Sequence, residues 1–122
     1  MFDIFHVEDL PVKRESLQFA AMDRELTYLG VGSLDELMIE LGKGTRGKTY
    51  VLDGQFPEKA RGQIEFLAPR ATQTIREVEP NARIIWYTGN NQDEREAQKL
   101  GVRYFCKHDV KVEELLREIQ KL

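Results

Sequence analysis

The sequence predicts an α/β protein: a doubly wound parallel sheet of five strands with helices packed on both faces. Two observations predict it. Short apolar runs alternate five times with stretches whose apolar residues recur at helical spacing, and the connections between them are short. Four of those runs also end on polar residues, Glu8-Asp9, Asp53, Thr88 and Lys107. In an open parallel sheet such carboxyl ends lie along one edge, where ligands bind.

Phe2 to Val7 reads as the first strand, broken in composition by Asp3 and His6 and ending at Glu8-Asp9. His6 is a packed or half-exposed strand residue on this reading, not a ligand. Pro11 suits the first position of a helix, and Leu17, Ala20 and Ala21 supply that helix's inward stripe. Thr27 to Val31 is a second strand. Ser33 and Glu36 then form a capping box, opening a short helix whose Leu34, Leu37, Met38 and Leu41 share a face.

Gly42 to Thr49 matches the phosphate-loop pattern of two glycines, lysine and threonine. That loop works by leaving a strand and entering a helix, whose first N–H groups cradle phosphate. Here the helix precedes and the strand Tyr50–Leu52 follows, so the segment reads as a connection carrying solvated charges. The third strand runs into Asp53, and Pro57 stops it. Ile64, Leu67, Ala68, Ala71, Ile75 and Val78 then predict a helix after Pro57, kinked or restarted at Pro69 and closed by Pro80-Asn81.

Arg83 to Tyr87 is the fourth strand and ends at Thr88-Gly89-Asn90. A weak helix follows from about Gln92 to Leu100, with Asp93 and Glu94 favouring its start and Gly101 its stop. Val102 to Cys106 is the fifth strand and ends at Lys107. Val112, Leu115, Leu116, Ile119 and Leu122 mark a final helix, capped by Asp109. Trp86, Cys106 and Met38 are expected in the core.

The length suits one domain, residues 1–122, with a core of its own and no chain left for an output domain. With 18 basic and 21 acidic residues the net charge is −3, and no stretch concentrates lysine and arginine, so a nucleic-acid partner is not expected. A single cysteine excludes an intrachain disulfide and a cysteine-rich metal site. No apolar run reaches membrane-spanning length and no secretory pattern opens the chain, which points to a cytoplasmic protein without a membrane partner.

Gathered at one rim, Glu8, Asp9, Asp53, Thr88 and Lys107 have a specific use. Clustered carboxylates repel one another, and a hard divalent cation relieves that while leaving room for phosphate oxygens. Lysine and threonine can hold the remaining oxygens of a phosphoryl group, and Asp53, on a central strand, is best placed as nucleophile. Each residue alone has a plainer reading: a solvated helix start for the acids, a turn residue for Thr88, an exposed strand-end lysine for Lys107.

Taken in order, these residues resemble the receiver domains of two-component response regulators, most of all the stand-alone, chemotaxis-type members, over essentially the whole chain. The resemblance implies a flavodoxin-like sheet of order 2-1-3-4-5. It implies phosphoacceptance at Asp53, with Pro57 four residues on, and Mg2+ or Mn2+ held by Glu8, Asp9, Asp53 and the backbone carbonyl of Gln55. Thr88, Gly89, Lys107 and Tyr104 then correspond to the family's phosphoryl-contacting and switch positions, and Gln55 and Asn90 to those that tune the acyl phosphate's lifetime. A histidine kinase or phosphotransfer protein is the implied donor, and an unknown downstream protein the implied reader. The domain would catalyse only its own phosphorylation and dephosphorylation.

The chain departs from the family where His108 replaces a proline that follows the lysine through a cis peptide. Its segment from Pro57 to Pro80 is longer than usual, and that from Thr88 to Lys107 shorter. These departures keep open a receiver-like scaffold or dimerisation module that takes no phosphate. An enzyme is a further alternative. A nucleotide hydrolase on Gly42–Thr49 would lack its helix, and a phosphatase on Leu52-Asp53-Gly54 would lack the second acid, since Gln55 stands there.

Overall fold

The computed structural model describes residues 1–122. Along the chain run β1 (Phe2–Val7), α1 (Pro11–Asp23), β2 (Tyr28–Val31), α2 (Leu34–Gly42), β3 (Gly47–Leu52), β4 (Gln55–Pro57), β5 (Ile64–Phe66), α3 (Ala68–Val78), β6 (Ile84–Thr88), α4 (Asp93–Leu100), β7 (Arg103–Cys106) and α5 (Val112–Lys121). Five strands form a sheet of order β2-β1-β3-β6-β7, parallel at every pairing. Counting only those five, the order is the expected 2-1-3-4-5, and β3, which delivers Asp53, is central.

Strand alternation divides the core in two. Phe5, Val7, Tyr50, Leu52 and Trp86 face α2, α3 and α4, packing with Leu34, Leu37, Ala71, Ile75 and Ala97. Ile4, Val51, Ile85 and Tyr87 face α1 and α5, packing with Leu17, Ala20, Ala21, Leu115, Leu116 and Ile119. Burial on both sides explains why β3 and β6 read as continuous apolar runs rather than alternating ones. Trp86 is fully buried, its indole N–H donating to Thr72 Oγ1 at 2.9 Å, and Cys106 is buried.

Local signals set most element ends. Pro11 occupies the first turn of α1. Ser33 caps α2, its hydroxyl accepting from Glu36 N at 3.2 Å, while Glu36 Oε2 reaches back to Gly32 N at 3.0 Å rather than to Ser33. Gly101 ends α4 in the left-handed region at φ 68°, where a Cβ would be strained.

Several expectations are corrected. The helix expected soon after Pro57 does not begin until Ala68; Gln55–Pro57 and Ile64–Phe66 instead pair as an antiparallel hairpin, and Ile64 is exposed. Val78 ends α3 exposed, and Leu122 lies beyond α5, also exposed. Met38 is 47% exposed and not in the core. Asp109 does not cap α5: Lys111 is the capping residue, with no side-chain hydrogen bond, and Asp109 N instead closes a turn onto Cys106 O at 3.0 Å. Part of the expected Gly42–Thr49 connection is strand, since β3 starts at Gly47 to pair with Phe2; Lys48 is exposed and ion-paired with Asp3 at 3.3 Å.

Candidate functional site

The carboxyl ends of β1, β3, β6 and β7 come together at one rim because each strand stops where its neighbours do. Glu8 N extends the β1–β2 ladder to Val31 O, Asp53 N the β3–β1 ladder to Val7 O, and Lys107 N the β7–β6 ladder to Thr88 O. Three side chains far apart in sequence are therefore delivered by backbone register, not by loops. Proline at position 11 then turns the chain into α1 immediately after the acidic pair.

Glu8 is fully buried. Its Oε1 accepts from Lys107 Nζ at 2.7 Å, and its Oε2 accepts from Leu10 N at 3.2 Å. Arg14 holds the same residue from the backbone side, donating to Glu8 O at 2.6 Å. Asp53 Oδ1 accepts from Gly54 N at 2.7 Å and lies 3.6 Å from the same ammonium. Lys107 thus bridges β1 and β3 while its ammonium stands 5.7 Å from the centre of the Tyr87 ring.

Charge at this rim is out of balance. Glu8, Asp9 and Asp53 bring carboxylate oxygens within 4.8 Å of one another, and one lysine faces them. Burial works to raise the Glu8 carboxyl, but the Lys107 charge and hydrogen bond outweigh it, so Glu8 sits below its usual range. Asp53 goes the other way: burial first, then the neighbouring Glu8 charge, push it up to about 7. Asp9 is also raised, by burial and by Glu8. Three hard oxygen donors with too little positive charge among them fit a divalent cation of the Mg2+ type. Gln55 opens β4 two residues after Asp53 with its side chain exposed.

The β6 end supplies the hydroxyl. Thr88 is buried, and its Oγ1 donates to Asp93 Oδ2 at 3.1 Å while accepting, at 3.4 Å, from Asn90 N. Gly89 is exposed beside the His108 ring, whose Nε2 would lie 3.2 Å from any Cβ placed there. Every peptide bond is trans, that between Lys107 and His108 included. Tyr104 does not point into the rim; its hydroxyl donates to Asn90 O at 3.1 Å, with Asn91 Oδ1 at 3.3 Å. Asn90 also braces its own turn, its Oδ1 accepting from Gln92 N at 3.0 Å.

The structure therefore joins Glu8, Asp9, Asp53 and Lys107 directly, and keeps Thr88, Asn90 and Tyr104 in a second group around the β6–α4 turn. Sequence reasoning missed two residues here. Arg14 carries no signal beyond being one of several charges on α1. Asp93 was readable only as an acid in a helix's first turn; its burial beside Thr88 depends on the absence of a side chain at Gly54, a non-local fact.

No family model matches the sequence, and comparison with curated proteins finds no match. Solved structures do match. The response regulator TrrA of Thermotoga maritima, in complex with Mg2+ and BeF, superposes with a TM-score of 0.80 at 19% identity, over 99% of this chain and 98% of that one. The chemotaxis response regulator CheY4 of Vibrio cholerae gives 0.78 at 17% identity over 99% and 98%. A response regulator receiver domain protein from Clostridium thermocellum gives 0.79 at 18% identity over 99% and 93%. At these identities the likeness establishes the fold: the chain has the receiver-domain fold of response regulators.

Proposed function

We propose that this protein is a phosphorylation-dependent signalling switch in which Asp53 accepts a phosphoryl group from a histidine kinase or phosphotransfer protein. The observation that carries the reading is the close approach of Glu8, Asp9 and Asp53 with Lys107 between β1 and β3, at the ligand-binding edge of a receiver fold. Asp53 Oδ1 is held by Gly54 N and faces Lys107, which leaves Oδ2 as the attacking oxygen. Its lone pair forms the new O–P bond as the donor's N–P bond breaks, and the departing imidazole takes a proton from solvent.

Asp53, Asp9 and Glu8 are the side chains that would hold Mg2+ or Mn2+, with the Gln55 carbonyl as a backbone ligand. A bound divalent cation supplies the positive charge that keeps Asp53 ionised and offsets charge on the phosphoryl oxygens. Lys107 contributes a fixed point charge beside the acceptor. Gly89 adds no side chain of its own at the β6 end where the incoming group would sit, beside the His108 ring. Thr88 and Tyr104 couple occupancy to the β6–α4 turn, and Gln55 and Asn90 border the path that water takes to the acyl phosphate. The altered surface is then read by a partner protein.

The test is incubation with acetyl phosphate and Mg2+, followed by acid-quenched mass spectrometry. A phosphoryl adduct on the wild type, lost in Asp53→Ala, is expected. A second reading, a receiver-like scaffold that takes no phosphate, is favoured by the eight-residue α4 and by the engagement of the Thr88 hydroxyl with Asp93. It predicts neither an adduct at high donor concentration nor Mg2+ binding.

A further inference from the structure

The Thr88 hydroxyl carries a single proton, and that proton is already committed. It points to Asp93 Oδ2 at 3.1 Å. Asp93 is 4% exposed although it opens a helix whose next acid, Glu94, faces solvent. The pocket that admits its carboxylate exists because residue 54 is glycine: a Cβ there would overlap Asp93 Oδ2 and stand 2.8 Å from Thr88 Oγ1. A buried carboxylate, a buried hydroxyl and a bare backbone position thus meet directly after the acceptor Asp53.

We propose that Asp93 is a positioning residue of the phosphoacceptor site, a latch that holds the Thr88 hydroxyl in the resting state, so that a phosphoryl group on Asp53 must take that hydroxyl from Asp93. The inference rests on the phosphoacceptor reading and adds its regulation. A hydroxyl donates one hydrogen bond at a time, so the two acceptors compete. The loser at occupancy is a buried carboxylate without its donor, which favours moving it toward water. Asp93 sits in the first turn of α4, and the turn before it holds Tyr104 through Asn90 O and Asn91 Oδ1. Release of Asp93 therefore loosens the segment that fixes Tyr104, and occupancy at Asp53 is transmitted to the α4 surface.

Beryllofluoride with Mg2+, a phosphoryl stand-in, is the probe, titrated against the full chain and followed by the fluorescence of the single tryptophan, Trp86, and by NMR. Removing the competitor in Asp93→Ala should tighten binding roughly tenfold, the weight of a hydrogen bond to a charged group. Asp93→Asn, which keeps an acceptor oxygen but not the charge, should fall between, and carries the comparison should Asp93→Ala not fold. In a Thr88→Ala background the Asp93 substitution should change nothing, which a purely structural role for Asp93 would not produce. Equal or weaker binding in both Asp93 variants, or a gain that persists without Thr88, overturns the latch alone. Absence of binding and of an Asp53 adduct in every variant overturns the phosphoacceptor reading and the latch with it.

Discussion

Asp53 shows what a buried carboxylate crowded by a second acid costs a fold. Its carboxyl is raised from 3.8 to about 7 by burial and by Glu8, so the native state binds more protons than the unfolded chain between those values. Stability from this group is full below pH 3.8 and is lost as pH rises toward 7. Asp53→Asn should therefore stabilise the apo protein at pH 8, by about 1–2 kcal/mol after allowing for the weaker attraction of a neutral amide to Lys107, and far less at pH 4. Urea denaturation at the two pH values measures it. Mg2+ at about 100-fold above its dissociation constant should add up to about 2.7 kcal/mol to the wild type and little to Asp53→Asn. Gly54→Ala is expected to cost about 1–3 kcal/mol, because its methyl group overlaps Asp93 and crowds Thr88. Part of that loss should return in Gly54→Ala/Asp93→Ala, which a double-mutant cycle would register. Glu8, Asp53 and Lys107 were legible as strand ends, since strand register alone places them. Asp93 was not, because its surroundings are made by residues 5 and 39 positions away.

At the scale of elements, strands bounded by turn residues and helices with clear caps were legible, and the stretch from Gln55 to Leu67 was not. Ile64, Leu67, Ala68, Ala71 and Ile75 fit a helical period so well that the pattern overruns the real start of α3. What prevails is tertiary: Phe56 is fully buried under the sheet and Phe66 stands edge-on to Trp86 with ring centroids 5.8 Å apart, so the chain gains more by folding Gln55–Pro57 against Ile64–Phe66 than by extending α3. The two readings differ in measurable ways. Were Ile64 on a helix's buried face, Ile64→Ala would cost about 2–5 kcal/mol; exposed in the hairpin, it should cost within about 0.5 kcal/mol. Phe66→Ala, by contrast, should cost about 1 kcal/mol, because the edge-on packing against Trp86 disappears. Chemical denaturation of the pair separates hairpin from helix. Met38 and Asp109 fail for a related reason. Helical spacing assigns a face but not its width, and a capping residue type assigns no cap when the turn from Cys106 to Asp109 delays α5 until Val112.

Across the whole molecule, opposed titrations meet at the same rim. His6 is buried one strand position before the end of β1, hydrogen-bonded to the Tyr28 hydroxyl at 2.7 Å. Burial pushes its imidazole down from 6.5 to about 3; the nearby Glu8 charge works against this, and Lys107 and Arg14 work with it. The native state therefore keeps His6 neutral where the unfolded chain protonates it, so its contribution is full above pH 6.5 and is lost as pH falls toward 3. Asp53 acts in the reverse sense over 3.8 to about 7, and Asp9 and Asp93, both raised, pull the same way as Asp53. Glu8 and Asp3, both lowered, matter only toward acid, below their ordinary values of 4.5 and 3.8. Between about pH 5 and 6.5 the slopes of His6 and Asp53, each up to about 1.4 kcal/mol per pH unit, oppose each other. The wild type's stability should therefore vary less steeply with pH than that of a protein lacking either group. Asp53→Asn removes the downward slope, so its stability should climb with pH across that window; His6→Phe removes the upward one, so its stability should fall. Urea midpoints of the three proteins at pH 5, 5.75 and 6.5 test this directly. Two variants that track the wild type at constant offset would mean that neither group titrates differently in the fold, and that the charges at the rim are balanced after all.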